Sequence, residues 1–328
     1  MKHLLKLLDC STEEIIGLLD LADQLKYEKK HNISHRHLEG KSLGMIFQKS
    51  STRTRVSFET GMYQLGGQAL FLSNRDLQIG RGEPVQDTAR VLSRYLDGIM
   101  IRTYEQKEVE DLANYGSIPI INGLTDFCHP CQVLADLMTI REKFAVLEGL
   151  KLCYIGDGNN MANSLIVGGL KTGMKVSIAT PVDYRPDAEV MSFAGPNPNF
   201  FITDDPMKAA ENADVVITDT WASMGQEAEK EIRMKAFQGY QVNDELLAAA
   251  KPGCIVQHCL PAYREQESTT KKVTGDNVHH KPTQPDRPEE TTKAVHVIGF
   301  NAQLGESFKS HYIYGEQLSY DGLTLTAD

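Results

Sequence analysis

Short apolar runs alternate with segments of helical spacing along most of this chain, which restricts the possible folds more than any other feature. Eight runs predict strands, at residues 43–47, 69–72, 98–101, 118–121, 150–155, 175–179, 214–218 and 254–257. After the first of them, Val56, Phe58 and Met62 recur at mostly helical spacing until Gly66-Gly67. Strand–helix alternation indicates parallel sheets with helices on both faces. We therefore predict an α/β fold with two doubly wound parallel-sheet domains.

Two domains also suit the length, because 328 residues exceed what one compact core usually serves. We place the first domain at residues 1–135 and the second at residues 136–267, joined within a long helical stretch. Residues 268–328 form an atypical tail that is polar and rich in proline, and no amphipathic period predicts a regular element there. Residues 191–200 also interrupt the alternation of strands and helices, because two prolines lie within an expected helix.

The composition argues against several classes of partner. The net charge is −10 and the pI is about 5.5, whereas nucleic acid or an anionic membrane needs a broad basic surface. No apolar run approaches the roughly 20 residues of a membrane span, and the N-terminus lacks the pattern of a secretory signal. The six cysteines do not look like a disulfide framework, so we expect free thiols and a cytoplasmic protein.

Two motifs suggest a metal or a cofactor, but neither is complete. Cys128 and Cys131 have C-x-x-C spacing, yet no second cysteine pair follows at the spacing of a zinc site. The segment Gly156-Asp157-Gly158-Asn159-Asn160-Met161 follows a strand and opens a helix, but a methionine replaces the third glycine of a dinucleotide-binding motif. We expect neither a metal nor an organic cofactor.

The segment Ser51-Thr52-Arg53-Thr54-Arg55 follows the first predicted strand and begins a predicted helix. Backbone N–H groups at a helix N-terminus form an anion site together with Ser and Thr hydroxyls, and arginine adds bidentate contacts to phosphate. Two arginines at the start of a helix are unfavourable beside the positive end of its dipole. A bound dianion is the simplest compensation. The segment therefore predicts a phosphate site, and the alternative is an N-cap followed by solvated arginines.

Further polar residues follow other predicted strands, where the ligands of parallel sheets bind. Arg102 follows residues 98–101, Asp219 follows residues 214–218, and Cys259 lies just past residues 254–257. A carboxylate suits a substrate ammonium, although a helix N-cap is an equally ordinary role for an aspartate. A cysteine at the end of a buried strand is more often inert than reactive.

Five motifs together resemble the aspartate and ornithine carbamoyltransferases. They are Ser51-Thr52-Arg53-Thr54-Arg55, Ile101-Arg102-Thr103, His129-Pro130-Cys131-Gln132, Asp219-Thr220-Trp221-Ala222-Ser223-Met224-Gly225 and His258-Cys259-Leu260-Pro261. They lie within residues 40–267, in the order and approximate spacing of the family. The resemblance implies a two-domain transferase.

The resemblance also implies a role for each matching residue. The residues implied to bind carbamoyl phosphate are Ser51, Thr52, Arg53, Thr54, Gln78, Arg102, His129, Gln132, Cys259 and Leu260, with Gln78 reaching it from a neighbouring subunit. Those implied to bind the amino acid substrate are Asn160, Asp219, Ser223 and Met224. The implied catalytic residues are Arg102, His129, Asp219 and Cys259. Donors such as Arg102 polarise the carbonyl, and either Asp219 or Cys259 takes the proton of the amine.

Asp219 with Ser223-Met224-Gly225 is similar to the signature of family members that use ornithine. The resemblance thus implies carbamoyl transfer from carbamoyl phosphate to the δ-amine of ornithine, which gives citrulline and phosphate in arginine metabolism. It further implies a homotrimer or a multiple of trimers, with no metal or cofactor. The alternatives are another amine substrate such as putrescine, or an inactive ligand-binding homologue. The direction of the pathway stays open.

The tail departs from the family pattern. Family members have a Glu-Asn-Arg segment that opens a C-terminal helix and whose arginine also binds carbamoyl phosphate, but residues 268–328 contain no Glu-Asn-Arg. Arg287 lies between prolines and cannot open a regular helix in the same way. The tail is either a functional replacement or the product of a shifted reading frame near codon 268. We favour the shifted frame, because composition and periodicity change at one point, and this puts the activity of the chain in question.

Overall fold

The computed structural model describes residues 1–221 and 230–259, together with the backbone of four strands nearer the C-terminus. The chain forms two compact units, and the main division falls between Thr139 and Ile140. Within the described residues, no helix has both the length and the apolar character that crossing a membrane requires.

The first unit is built on a four-stranded parallel sheet. Its strands are β1 (Ser42–Phe47), β2 (Gln68–Ser73), β3 (Gly98–Arg102) and β4 (Ile120–Leu124), in the order β2-β1-β3-β4. The chain moves outward from β1 to β2 and then returns to β3 on the other side, so the direction of winding changes between β1 and β3. Phe47 and Arg102 are paired in register at the carboxyl end of this junction. Ligands of open α/β sheets bind at such a position.

Both faces of this sheet are apolar. Alternate residues of a strand point to opposite faces, and Ile46, Ile99 and Ile101 belong to one buried cluster whereas Met45 and Met100 belong to another. A sheet that is apolar on both faces has to be covered on both. The helices of this part of the chain are α1 (Thr12–Lys30), α2 (Thr52–Gln64), α3 (Val85–Leu92), α4 (Gln106–Tyr115) and α5 (Pro130–Phe144).

The end of α2 shows why the sequence folds in this way locally. Gly66 has a φ of +84°, and its N–H donates to the Tyr63 carbonyl at 3.1 Å while the Gly67 N–H donates to the Met62 carbonyl at 2.8 Å. These two bonds form a Schellman motif, which needs a residue in the left-handed region. The prediction that Gly66-Gly67 ends this helix is confirmed.

The second unit contains a larger sheet. Its strands are β5 (Lys151–Ile155), β6 (Lys175–Ala179), β7 (Phe200–Thr203), β8 (Val215–Thr218), β9 (Ile255–His258), β10 (Val295–Asn301) and β11 (Glu306–Tyr312), in the order β11-β10-β9-β8-β5-β6-β7. The strands from β5 to β10 are parallel to their neighbours. The winding changes direction between β5 and β8, so the carboxyl ends of these two strands form the corresponding ligand position.

Helices of this part of the chain are α6 (Asn160–Lys171), α7 (Ala188–Ala194), α8 (Pro206–Ala210), α9 (Lys230–Ala236) and α10 (Asp244–Ala249). Every residue from Met161 to Leu170 of α6 is buried, and all of them except Asn163 and Ser164 are apolar or glycine, as expected for a helix enclosed on all sides. In this unit, a buried apolar cluster joins Ile155 and Val216 of the sheet to Phe237 and Leu246. A small antiparallel pair, β12 (Leu318–Tyr320) and β13 (Leu323–Leu325), completes the described chain.

The predicted α/β class with two parallel-sheet units is confirmed, and all eight predicted strands are present. Among β5 to β9, one strand was not predicted: α7 ends at Ala194, before the two prolines, and β7 follows them at Phe200–Thr203. This strand has four residues, none of them fully buried, and its short apolar run, residues 200–202, closely follows the two prolines that were interpreted as breaks in a helix over residues 191–200. The strands β10 to β13 in the tail were not predicted either, and the remaining tail residues lie outside the described part.

Candidate active site

The start of α2 lies at the carboxyl edge of the first sheet. The Ser51 Oγ accepts the Thr54 N–H at 3.2 Å and donates to the Thr54 Oγ1 at 3.0 Å, which fixes Ser51 as the N-cap. The first turn of α2 contains no acidic residue. The positive charge of Arg53 therefore adds to the positive end of the helix dipole. Arg55 is directed elsewhere, because its Nε donates to Glu59 at 3.0 Å and its guanidinium lies 3.8 Å from the centre of the Phe71 ring.

Hydrogen bonds tie the turn after β1 to the end of β3. The Gln48 and Lys49 N–H groups donate to the Arg102 carbonyl at 2.9 and 3.4 Å. Lys49 is largely buried and forms an ion pair with Asp126. Its charge therefore has a partner within the protein, and the backbone bonds hold Arg102 beside the start of α2.

Arg102 is a buried cation, only 7% exposed. Its Nε is buried and makes no hydrogen bond to any of the described residues. Burial and the neighbouring charge of Arg53 lower the pKa of Arg102 to about 10, so the guanidinium stays charged at neutral pH. A buried charge is costly unless it is paired and hydrogen-bonded. This arginine therefore suits an oxygen-rich or anionic ligand.

His129 and Gln132 lie at the start of α5. The His129 carbonyl accepts the Val133 N–H at 3.3 Å, which places the histidine at the N-cap position. Its Nδ1 is shielded from solvent, and burial followed by the charge of Arg102 lowers the pKa of His129 to about 3. The imidazole is therefore neutral at pH 7. One turn later, the Gln132 Nε2 donates to the buried Asp136 at 3.0 Å.

The pKa of His129 gives a testable pH dependence of stability. The folded value of about 3 lies below the ordinary value of 6.5, so the unfolded chain binds an extra proton between these limits and stability falls as the pH falls. The free energy of unfolding of the wild type should drop by about 2 kcal/mol more than that of His129→Gln between pH 7.5 and pH 5. Urea unfolding at the two pH values measures the difference, and equal drops would contradict the prediction.

Gln78 lies apart from these residues. It is exposed, and its carbonyl accepts the Arg81 and Glu83 N–H groups at 2.8 and 3.1 Å. Among the described residues of the first unit, its side chain makes no hydrogen bond to the other candidates. The structure therefore brings together Ser51 to Thr54, Arg102 and His129, and leaves Gln78 on the surface.

In the second unit, a buried carboxylate follows β8. Asp219 is 7% exposed, and its Oδ1 accepts the Thr220 N–H at 2.6 Å and the Cys259 thiol. Its Oδ2 accepts the Asn159 Nδ2 at 3.1 Å. The structure thus brings together residues from the ends of β5, β8 and β9, as their positions after predicted strands indicated.

Tyr154 of β5 lies beneath this group. Its hydroxyl donates to the Asp157 carbonyl at 2.9 Å and lies 3.5 Å from the Asn159 Oδ1. Burial and the nearby carboxylates of Asp219 and Asp157 raise the pKa of Tyr154. The phenol therefore stays neutral and acts as a hydrogen-bond donor.

The glycine-rich segment after β5 is shaped by the protein itself. A Cβ at Gly158 would lie 2.4 Å from the Tyr184 oxygen and 2.4 Å from the Pro186 nitrogen. The chain's own backbone therefore occupies the space that this glycine provides. Asn159 caps α6 by accepting two N–H groups, and Asn160 is the first residue of the helix. These contacts support the prediction that the segment does not bind a dinucleotide.

A buried ion pair holds the same segment. The Arg233 Nη1 donates to the Asp157 Oδ2 at 2.7 Å and to the Trp221 carbonyl at 3.1 Å. The side chains of Asp157 and Arg233 are 9% and 8% exposed. The pair connects the end of β5 to α9 and to the residue that precedes positions 222–229.

Three candidate residues cannot be placed in the structure, and the sequence analysis missed several residues of the site. Ser223, Met224 and Leu260 lie outside the described residues. Sequence reasoning missed Asn159, Tyr154 and the Asp157–Arg233 pair. The N-cap position after a strand could have indicated Asn159, but no sequence signal joins Asp157 to a residue 76 positions later.

The C-x-x-C motif offers no reactive thiolate. Burial raises the pKa of both Cys128 and Cys131 to about 12. Metal binding and thiol–disulfide exchange both use the thiolate. Among the residues that the structure describes, no group of three or more His, Cys, Asp or Glu side chains could hold a metal ion.

Comparison with family models decides the family of this chain. The model described as "Aspartate/ornithine carbamoyltransferase, carbamoyl-P binding domain" matches residues 2–142, and "Aspartate/ornithine carbamoyltransferase, Asp/Orn binding domain" matches residues 148–287. The chain belongs to the aspartate/ornithine carbamoyltransferase family. Residues 288–328 lie beyond both matches.

Relatives within this carbamoyltransferase family are similar over most of the chain. The ornithine carbamoyltransferase of Carboxydothermus hydrogenoformans is 53% identical over 281 residues, which cover 84% of this chain and 90% of the relative. The anabolic enzyme of that name from Pyrococcus furiosus is also 53% identical, with 84% and 89% covered. A solved structure of the P. furiosus ornithine carbamoyltransferase has a TM-score of 0.80 at 49% identity, and covers 90% of this chain and 91% of that one.

Proposed function

We propose that this chain is an ornithine carbamoyltransferase. It transfers the carbamoyl group of carbamoyl phosphate to the δ-amine of ornithine. The amine nitrogen attacks the carbonyl carbon, the bond from that carbon to the phosphate oxygen breaks, and the nitrogen loses a proton. The products are citrulline and phosphate. The buried cation Arg102, beside Arg53 and the capped start of α2, carries this proposal, and the names of the relatives supply ornithine.

Residues of the first unit bind carbamoyl phosphate in this proposal. Ser51, Thr52, Arg53 and Thr54 take the phosphate oxygens through hydroxyls, helix N–H groups and charge. Arg102 stabilises the negative charge that develops on the carbonyl oxygen. His129 is neutral and contributes one N–H donor, and Gln132 lies one turn further along α5. Gln78 acts on the site of a neighbouring subunit, which suits its exposure. The proposal also assigns Cys259 and Leu260 to carbamoyl phosphate, as the family resemblance implies.

Residues of the second unit bind ornithine. Asn160, Ser223 and Met224 hold the α-amino acid end, and Asp219 receives the δ-amine. Among the described residues, the Oδ1 of Asp219 already accepts three hydrogen bonds, from the Thr220 N–H and hydroxyl and from the Cys259 thiol, whereas its Oδ2 accepts one. A carboxylate oxygen has two lone pairs. The amine therefore binds at Oδ2, and Asp219 or Cys259 takes its proton.

The assembly and setting of the enzyme are part of the same proposal. We place it in the cytoplasm, in arginine metabolism, since all six cysteines are free thiols. A homotrimer is supported by exposed apolar side chains on α2 and on the edge strand β2, near the segment that contains Gln78. Val56, Leu70 and Phe71 are each more than a third exposed, and such groups mark interaction surfaces when they lie together.

Product analysis tests the proposed function. The full chain is incubated with carbamoyl phosphate and either ornithine or putrescine, and carbamoylated products are separated and quantified. Citrulline formation with ornithine, and a higher kcat/KM for ornithine than for putrescine, is the expected result. A preference for putrescine would refute the substrate. Binding of both substrates without turnover would instead identify an inactive homologue.

A further inference from the structure

The side-chain amide of Asn159 contacts the start of a helix and the substrate-binding carboxylate at the same time. Its Oδ1 accepts the Met161 N–H at 2.9 Å and the Ala162 N–H at 3.3 Å. Its Nδ2 donates to the Asp219 Oδ2 at 3.1 Å. The oxygen of the amide is thus bound to α6 and its nitrogen to Asp219, so one side chain links the helix to the carboxylate that follows β8.

The hydrogen bonds permit only one orientation of this amide. Two backbone N–H groups of α6 need an acceptor, and the Tyr154 hydroxyl lies 3.5 Å from the same oxygen. A flipped amide would direct its NH2 group against these donors and its oxygen against the Asp219 carboxylate. The helix start therefore selects the orientation in which Nδ2 faces Asp219.

We infer that Asn159 is a positioning residue for ornithine, which holds the Asp219 Oδ2 so that its remaining lone pair faces the substrate amine. The inference rests on the proposed function and adds a residue to it. Asn159 acts through Asp219 and does not itself touch the reacting atoms. Without the Nδ2 donor, rotation of the Asp219 carboxyl group about its own bond is restrained only from the Oδ1 side, by Thr220 and Cys259.

Two substitutions separate the two contacts of Asn159. Serine and aspartate are both good N-caps, so Asn159→Ser and Asn159→Asp keep an acceptor for α6 and lose the donor to Asp219. Asn159→Ser loses a hydrogen bond to a charged group, so the KM for ornithine should rise by about tenfold or more in this variant. It should rise further in Asn159→Asp, because a second carboxylate then faces Asp219.

The KM for carbamoyl phosphate provides the comparison within each variant. In the part of the chain that the structure describes, Asn159 makes no hydrogen bond to a residue proposed to bind that substrate. This KM should therefore stay within about twofold of the wild type, and Tm should change by only a few degrees because the cap is kept. Asn243 supplies a matched control. It caps α10 by accepting the Leu246 N–H at 3.0 Å, and neither Asn243→Ser nor Asn243→Asp should change the KM for ornithine.

The KM for ornithine should be lowest in the wild type, higher in Asn159→Ser and highest in Asn159→Asp. The Asn243 variants should have the wild-type KM. That order differs from capping strength, in which asparagine, aspartate and serine are about equal. If the wild type is active and the KM for ornithine of both Asn159 variants stays within about twofold of the wild-type value, the inference is overturned while the proposed function stands. An equal rise in both KM values, or the same effect from the Asn243 variants, would also overturn the inference. A wild-type chain that forms no citrulline would refute the proposed function, and the inference with it.

Discussion

Arg102→Met should lower kcat/KM for carbamoyl transfer by about 10²–10³-fold, the usual loss when a group that stabilises a developing oxyanion is removed. The same substitution should not lower the Tm of the ligand-free protein. A merely structural arginine would behave in the opposite way, with a large loss of stability and a smaller loss of turnover. The combination therefore identifies a residue that is placed for a ligand.

The expected effect of Arg102→Met on Tm follows from the environment of the Arg102 guanidinium. Burial and the charge of Arg53 lower the pKa of Arg102 from 12.5 to about 10, and its Nε has no hydrogen bond to the described residues. A shift of this size corresponds to a cost of about 3 kcal/mol for keeping the charge of Arg102 buried. Methionine has a similar length and no charge, so it removes that cost while it fills much of the same space.

Thermal unfolding with and without ligand completes the test. Inorganic phosphate or carbamoyl phosphate should raise the Tm of the wild type, because a ligand stabilises the state that it binds, and should raise that of Arg102→Met much less. Arg90→Met is the control, since Arg90 is exposed and paired with Asp87 at 3.2 Å, where surface pairs contribute little. A variant of Arg102 with nearly full turnover, or with a Tm far below the wild type, would refute the role.

The positions of most strands, and the sheet edges at which the candidate site lies, could be predicted from the sequence. Runs of buried residues such as 98–101 mark a strand because both faces of a parallel sheet are covered. A polar residue directly after such a run, as Arg102 is, lies at the carboxyl edge for the same reason. β7 was missed because its short apolar run, residues 200–202, closely follows two prolines and begins within the segment interpreted as an interrupted helix.

The contacts within the site could not be predicted in this way. How many hydrogen bonds each oxygen of the Asp219 carboxylate accepts, and which end of the Asn159 amide faces it, depends on residues that follow three different strands. The low pKa of His129 depends on burial and on Arg102. Asp157 and Arg233 are 76 positions apart, and nothing in their local sequences distinguishes them from solvated charges. Such pairings arise from the fold, so only the strand ends could be identified in advance.

Arg233→Met should lower the free energy of unfolding of the second unit by about 3–5 kcal/mol, because it removes one partner of a buried ion pair. The Asp157 carboxylate, 9% exposed, then loses the guanidinium that donates to it at 2.7 Å. The Trp221 carbonyl loses its bond from the same side chain. Breaking one half of such a pair costs far more than replacing both halves, because the remaining charge stays buried.

The double variant Asp157→Asn with Arg233→Met tests that reasoning. It removes both charges, so it should recover a large part of the stability that Arg233→Met loses, and the coupling in the double-mutant cycle should be about 0.5–3 kcal/mol. Trp221 is the only tryptophan of the chain, and its ring stacks on Phe237 at 6.0 Å. Its fluorescence during urea unfolding therefore reports on the second unit at the position of the pair.

Lys107→Met supplies the control for loss of a cation. Lys107 is 78% exposed and pairs with Asp111 at 2.8 Å within α4, and an exposed pair of this kind contributes about 0–1 kcal/mol. If Arg233→Met were no more destabilising than Lys107→Met, the buried pair would not stabilise the turn after β5. If instead the double variant were as unstable as the two single losses added together, the packing of the two side chains would be the source of stability, and not their charges.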